Sequence, residues 1–185
     1  LMGCIAEDRS ACPHPRGVSV RLTVCPDPMT AVTRTTDEEA LRDLNLYLYD
    51  DDGEIVLHRY QSSSTLRFTS LPGNYRMRIA ANMGRDLGEN PGSEDFTVTH
   101  ADEYDTLPMS YEGDVTITSS SGGILTLPVV EVQRVVTKVS YDIAVKPADI
   151  ELRSVQLCSV PRAVSVFDVA ARPSDAPDDY TDCPE

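Results

Sequence analysis

The sequence predicts an all-β chain arranged as a Greek-key β-sandwich. Short runs of alternating apolar and polar residues recur along its 185 residues. They are punctuated by 13 Pro and 10 Gly, together with many Ser and Thr. No segment has the spacing of a stable helix, and nine or ten short strands at this spacing fit a sandwich.

Residues 5–17 are polar and read as an extended lead-in. Val18, Val20, Leu22 and Val24 then alternate with Ser19, Arg21 and Thr23, which gives a strand with one buried face. Pro26 and Pro28 end it, and residues 26–37 form a connection. Asp37 to Arg42 can make a helical turn, too short to hold without tertiary support.

Leu44, Leu46 and Leu48 alternate with Asn45, Tyr47 and Tyr49. Asp50-Asp51-Asp52-Gly53 follows, then Glu54 to Tyr60. Asp-Gly between alternating runs marks a hairpin, because Gly takes positive φ at little cost and Asp tolerates it. Leu66 and Phe68 belong to the next strand, and Leu71-Pro72-Gly73-Asn74 to the next turn. Tyr75, Met77, Ile79 and Ala81 alternate after it. Asn82 to Ser93 is a loop rich in Gly and Asn.

Phe96 with Val98, and Val115 with Ile117, mark two short strands. Ser119 to Gly123 is a turn, and the apolar run Ile124 to Val132 is interrupted by Pro128. Val135, Val139, Tyr141, Ile143 and Val145 line one face of an expected long strand. Ile150 and Leu152 fall in one phase and Val155 and Leu157 in the other, so a bulge is expected at Ser154. Val164 and Val166 give a last strand. From Asp168 onward six acids face one base, Arg172, in a tail that cannot bury much and is expected to be mobile. The resulting organisation is a lead-in over 1–17, an N-terminal β-sandwich over 18–130, the start of a second β-domain over 131–167, and an acidic tail over 168–185.

Charge narrows the function. The net value is −14, and the only lysines are Lys138 and Lys146. Such a chain is repelled by nucleic acid and by anionic lipid surfaces. No apolar run reaches the ~18 residues needed to span a bilayer. With no Trp and 3 Phe, little is left for a large aromatic pocket.

The residues of catalysis do not assemble. His14, His58 and His100 are far apart and lack ligand-type spacing. There is no G-x-S-x-G elbow, and Ser121-Gly122-Gly123 lacks the Lys and helix of a phosphate loop. Acidic pairs are expected on solvated faces of so acidic a chain. The Asp50–Asp52 run reads as a solvated turn, with a cation site as the weaker alternative, because EF-hand spacing is missing. No cofactor is implied and no metal ligand is assigned. Tyr47, Tyr49 and Tyr60 surround one hairpin, and the reading as outward cross-strand stabilisers outweighs that of a sugar-stacking surface.

Cys4, Cys12, Cys25, Cys158 and Cys183 form no C-x-x-C pair. Leu1-Met2-Gly3-Cys4 resembles a bacterial lipobox, which makes Cys4 the candidate lipidation site. Glu7-Asp8 resembles a surface-export signal of Bacteroidota lipoproteins. The remaining Cys12, Cys25, Cys158 and Cys183 can form two disulfides in three connectivities, or stay as buried thiols.

Several stretches together resemble the fimbrillin superfamily of Bacteroidales, the subunits, tips and anchors of type V pili. Gly3 to Asp8, Cys12-Pro13 and Arg16 to Arg21 are similar to the start of anchor-type fimbrial lipoproteins. Arg34 to Glu39, Leu44 to Asp50 and Asp52-Gly53 are similar to the opening of the fimbrillin N-terminal domain. Gly73-Asn74-Tyr75 with Ala80-Ala81-Asn82 matches its G-x-Y … A-N strand. Val132 to Val139 resembles the R-x-x-x-K strand that leads into the second domain.

The resemblance implies transthyretin-like β-sandwich domains, export as a lipoprotein and assembly by donor-strand exchange. An arginine-specific protease would cut at Arg34, the candidate processing site, and Val18–Val24 would be the strand released. The anchor-like start argues against that cut, since anchors keep the lipidated N-terminus; several acyl chains at ~0.8 kcal/mol per buried CH₂ hold durably. Only about fifty residues follow Val135, so the second domain is expected to be incomplete, which favours a terminal role. The expectation is a non-enzymatic anchor or tip-type lipoprotein at the cell outer membrane. Its partners would be other fimbrial subunits, joined by strand addition, and not nucleic acid. The alternative is a carbohydrate- or host-ligand-binding lipoprotein on the same scaffold, using loops such as 82–93.

Overall fold

A computed structural model describes residues 17–28, 40–99, 106–119, 123–136, 142–144, 152–153, 155 and 157–167. Among them there is no α-helix; the elements include ten strands and a 3-10 turn at Ser93–Phe96. The strands are β1 (Val18–Pro26), β2 (Leu44–Tyr49), β3 (Ile55–Gln61), β4 (Thr65–Ser70), β5 (Gly73–Ala81), β6 (Thr97–Thr99), β7 (Met109–Ile117), β8 (Ile124–Thr126), β9 (Val130–Arg134) and β10 (Ala163–Ser165).

Eight of these form one curled sheet in the order β3-β2-β5-β7-β9-β1-β4, with β8 beside β1. β10 and β6 make a separate antiparallel pair. The curl brings β1 and β4 face to face with β2, β5 and β7, as in a sandwich. Alternation decides which side chains meet. Val18, Val20, Leu22 and Val24 of β1 pack with Leu66 and Phe68 of β4 against Leu44, Leu46, Leu48, Met77, Ile79, Met109 and Ile117. Each fully buried aliphatic side chain here contributes roughly 1.5–3 kcal/mol. β1 is held on both edges: antiparallel to β4, with Val20 opposite Phe68, and parallel to β8 and β9, with Ser19 opposite Ile124 and Val24 opposite Val130.

A second, smaller core lies on the opposite face of β2 and β5, where Tyr47, Ala80, Leu87, Phe96, Val98, Val135 and Val166 pack together. β2 is therefore buried on both faces. The outward cross-strand role expected for Tyr47 is replaced by a fully buried one.

The hairpin turn forms where expected. Asp50 Oδ1 accepts the amides of Asp52 and Glu54 (3.1 and 2.9 Å), and Gly53 takes φ +82°. The expected helical turn is not formed at Ala40–Arg42, the part of it that is described. The long strand expected over 135–145 is not formed at 135–136 or 142–144; Val135 instead bends into the second core. Ser154 and the acidic tail lie outside the described residues.

Candidate functional site

β7 alternates Met109, Tyr111, Gly113, Val115 and Ile117 with Ser110, Glu112, Asp114 and Thr116. One of its edges is paired along the whole strand with β5, from Gly73 opposite Ile117 to Ala81 opposite Met109. The other edge meets β9 only at Met109–Arg134 and Ser110–Gln133. Beyond that point β9 turns to β1, setting Val130, Glu131 and Val132 against Val24, Cys25 and Pro26. The strands splay because β9 serves both layers in turn. Among the described residues, no strand covers β7 from Tyr111 to Ile117 on this side.

The direction of the backbone groups follows from the closed end of the fork. Val135 N–H donates to the Pro108 carbonyl at 3.0 Å, so position 108 faces β9. Antiparallel pairing alternates, and β7 keeps an unbroken register with β5. Ser110 therefore directs its amide and carbonyl to Gln133 of β9, and Glu112, Asp114 and Thr116 direct theirs to the open side.

The fork opens into a groove of about 640 Å³. Met77, Tyr111, Val115, Leu127 and Val130 supply its apolar wall, and Val129 stands at the mouth with 59% of its surface exposed. Asp27, Glu112, Asp114 and Glu131 supply carboxylates. Glu112 Oε1 accepts from both Arg76 Nε and Arg78 Nε at 2.7 Å. The Arg78 guanidinium lies 5.2 Å from the Tyr49 ring centre and 5.1 Å from that of Phe167. Burial works against its charge, but hydrogen bonds with Glu112 and Tyr49 outweigh that and raise its pKa.

Gly113 sits mid-strand where the Tyr111 side chain folds over it; a Cβ there would run into the phenol oxygen. The sequence analysis placed only Val115 and Ile117 in a strand and missed this half of β7. The available signal was the unbroken alternation from Met109 to Ile117.

The loop offered for ligand binding is tied down. Asn45 accepts the Leu87 amide and donates to the Arg85 carbonyl, both at 3.0 Å. Asp43 accepts the amides of Met83 and Gly84 at 3.0 Å each. Tyr47 O–H donates to the Gly88 carbonyl at 2.9 Å. With Tyr47 buried, the three tyrosines do not make a common stacking surface.

Cys4, Cys12, Arg34 and Cys183 lie outside the described residues, as do His14 and His100. Cys25 carries a free thiol, so the disulfide allowed for it in the sequence is not formed. Cys158 is disulfide-bonded. Burial, then Glu131 and Asp27, push the Cys25 pKa up.

No family description matches the chain, and no curated protein matches it. Among solved structures it is similar to the tip fimbrial protein Mfa3 of Porphyromonas gingivalis, with C-terminal truncation. The identity is 22% over 65% of this chain and 49% of that one, with a TM-score of 0.45. It is also similar to a fimbrial assembly protein of Parabacteroides distasonis, at 13% identity over 82% of this chain and 66% of that one, TM-score 0.48. These neighbours are Bacteroidales fimbrial proteins, and the chain spans about half to two thirds of their length. Scores and identities this low carry no inference about activity.

Proposed function

We propose that the chain is a non-enzymatic surface adhesion component of the fimbrial anchor or tip type, which engages neighbouring subunits by strand addition. The observation that carries this reading is the edge of β7 from Tyr111 to Ile117, which no strand among the described residues covers, beside a groove with an apolar wall. Such an edge supplies a row of main-chain donors and acceptors to an extended segment, and the groove receives its alternate side chains. Lipidation at Cys4, in Leu1-Met2-Gly3-Cys4, would hold the protein at the outer membrane. In this role β1 is retained and Arg34 stays uncut.

The test uses the full chain in its native host. Asp114→Pro removes an amide that faces the open edge and spares the β5 ladder, so the variant should fold. The wild type is expected in sheared surface fibres, and Asp114→Pro is expected to be lost from them with unchanged thermal unfolding. Equal retention of the two proteins, or absence of the wild type from the fibres, overturns the reading. Radiolabelled palmitate should enter the wild type and not Cys4→Ser; label in that variant refutes the anchor.

A further inference from the structure

The two walls of the fork share a polarity. On β7, Tyr111 and Val115 pack toward the main core, while Asp114 is exposed on the opposite face. On β9, Val130 and Val132 are buried, and Glu131 between them is exposed. A strand laid between these walls continues their pleat. Its inward side chains meet Tyr111, Val115, Leu127 and Val130, and its outward side chains pass Asp114 and Glu131.

The side chains that line the groove itself are acidic, while Arg76 stands opposite Asp114 on the β5 side, away from the fork. Glu112 is matched by Arg76 and Arg78. Among the described residues, no basic side chain pairs with Asp114 or Glu131, and no Lys or Arg lines the groove. The chain as a whole carries −14, so an acidic ribbon would be repelled before it docked.

We propose that the fork accepts an extended segment of a partner protein in which apolar residues alternate with lysine or arginine. The inward residues are aliphatic, and the basic residues lie over Asp114 and Glu131. This deepens the strand-addition reading and rests on it. Main-chain bonding to β7 gives the affinity, and the acidic rim selects among otherwise similar strands.

The test is fluorescence polarisation with three capped synthetic peptides of about six residues, which span ~20 Å as a strand. Valine alternates with lysine in the first, glutamine in the second and glutamate in the third. At low salt the lysine peptide is expected to bind the wild type about tenfold more tightly than the glutamine peptide, as one or two exposed charge pairs allow. The glutamate peptide should bind weakest. The double variant Asp114→Asn/Glu131→Gln, which keeps every edge amide, should lose the preference while still binding the glutamine peptide. Asp114→Pro should bind none of them.

Equal binding of the lysine and glutamine peptides by the wild type overturns the basic selection and leaves strand addition standing. Failure of the wild type to bind any peptide overturns both. A concentration-dependent self-association of the chain that displaces the peptide would place a second copy in the fork and likewise refute the proposal.

Discussion

Tyr47 of β2 lies flat against its cross-strand partner His58 of β3, with ring centres 4.6 Å apart and planes 15° from parallel. The edge of Phe96 closes the same cluster at 5.6 Å. His58 Nε2 is buried without a hydrogen bond and stands 3.4 Å from Asp86 Oδ1. A strand face that ordinarily meets water is thus an interior, roofed by the 82–99 segment.

Tyr47→Phe keeps the ring stack and removes the donor to the Gly88 carbonyl. A loss of about 1 kcal/mol is expected, read as a lower denaturant midpoint with an unchanged slope. Amide exchange should quicken around Gly88, whose positive φ of 82° already places it in a specialised turn. Unaltered exchange there would show that the phenol does not hold the loop.

Burial, with Tyr49, Asp86 and Asp95 adding to it, raises the Tyr47 pKa well above the ordinary tyrosine value. The folded state therefore holds this proton more tightly than the unfolded state. The stability involved is complete below about pH 10, the unfolded value. It is lost as pH rises from there toward the folded pKa. Phenolate absorbance should show one tyrosine of the 8 ionising together with alkaline unfolding, and that step should vanish in Tyr47→Phe.

Leu22 has no exposed surface and is surrounded by both layers. Leu22→Ala should cost about 3 kcal/mol, the sum of lost burial and the cavity left behind. Urea unfolding measures it; a cost below about 1 kcal/mol would mean that β1 contributes little to the core.

Cys25 stands opposite Glu131 in the β1–β9 register, and its thiol holds its proton more firmly than usual. Alkylation should be slow at neutral pH and accelerate as pH rises above the ordinary thiol range, because the thiolate is the reactive form. Glu131→Gln should speed it at a fixed pH. An unchanged rate in that variant would remove the carboxylate from the explanation.

The periodic parts of the fold were legible. β1 and the β2–β3 hairpin follow from alternation and from Asp-Gly, since each needs only a local pattern; that β2 is buried on both faces did not show. The loop over β2 was not, because Asn82, Gly84, Asn90 and their neighbours have the composition of solvated chain. What ties the segment down at Met83, Gly84, Arg85, Leu87 and Gly88 is Asp43, just ahead of β2, with Asn45 and Tyr47 of β2 reaching across, a contact that no local window contains. The fork was also illegible. It arises where β9 exchanges one partner for another, and neither Val130-Glu131-Val132 nor Tyr111 to Ile117 announces that change. The free thiol of Cys25 likewise depends on what comes near it in space, which spacing along the chain cannot decide.

The parallel pairing of Ser19 with Ile124 and of Val24 with Val130 also sets the order of events in folding. β1 leaves the ribosome early, whereas β8 and β9, which cover one of its edges, are synthesised much later. Contacts so distant along the chain close slowly. Until they do, an uncovered ribbon of valine and leucine is exposed to whatever it meets, and a nascent chain in that state is a natural client for a holding chaperone.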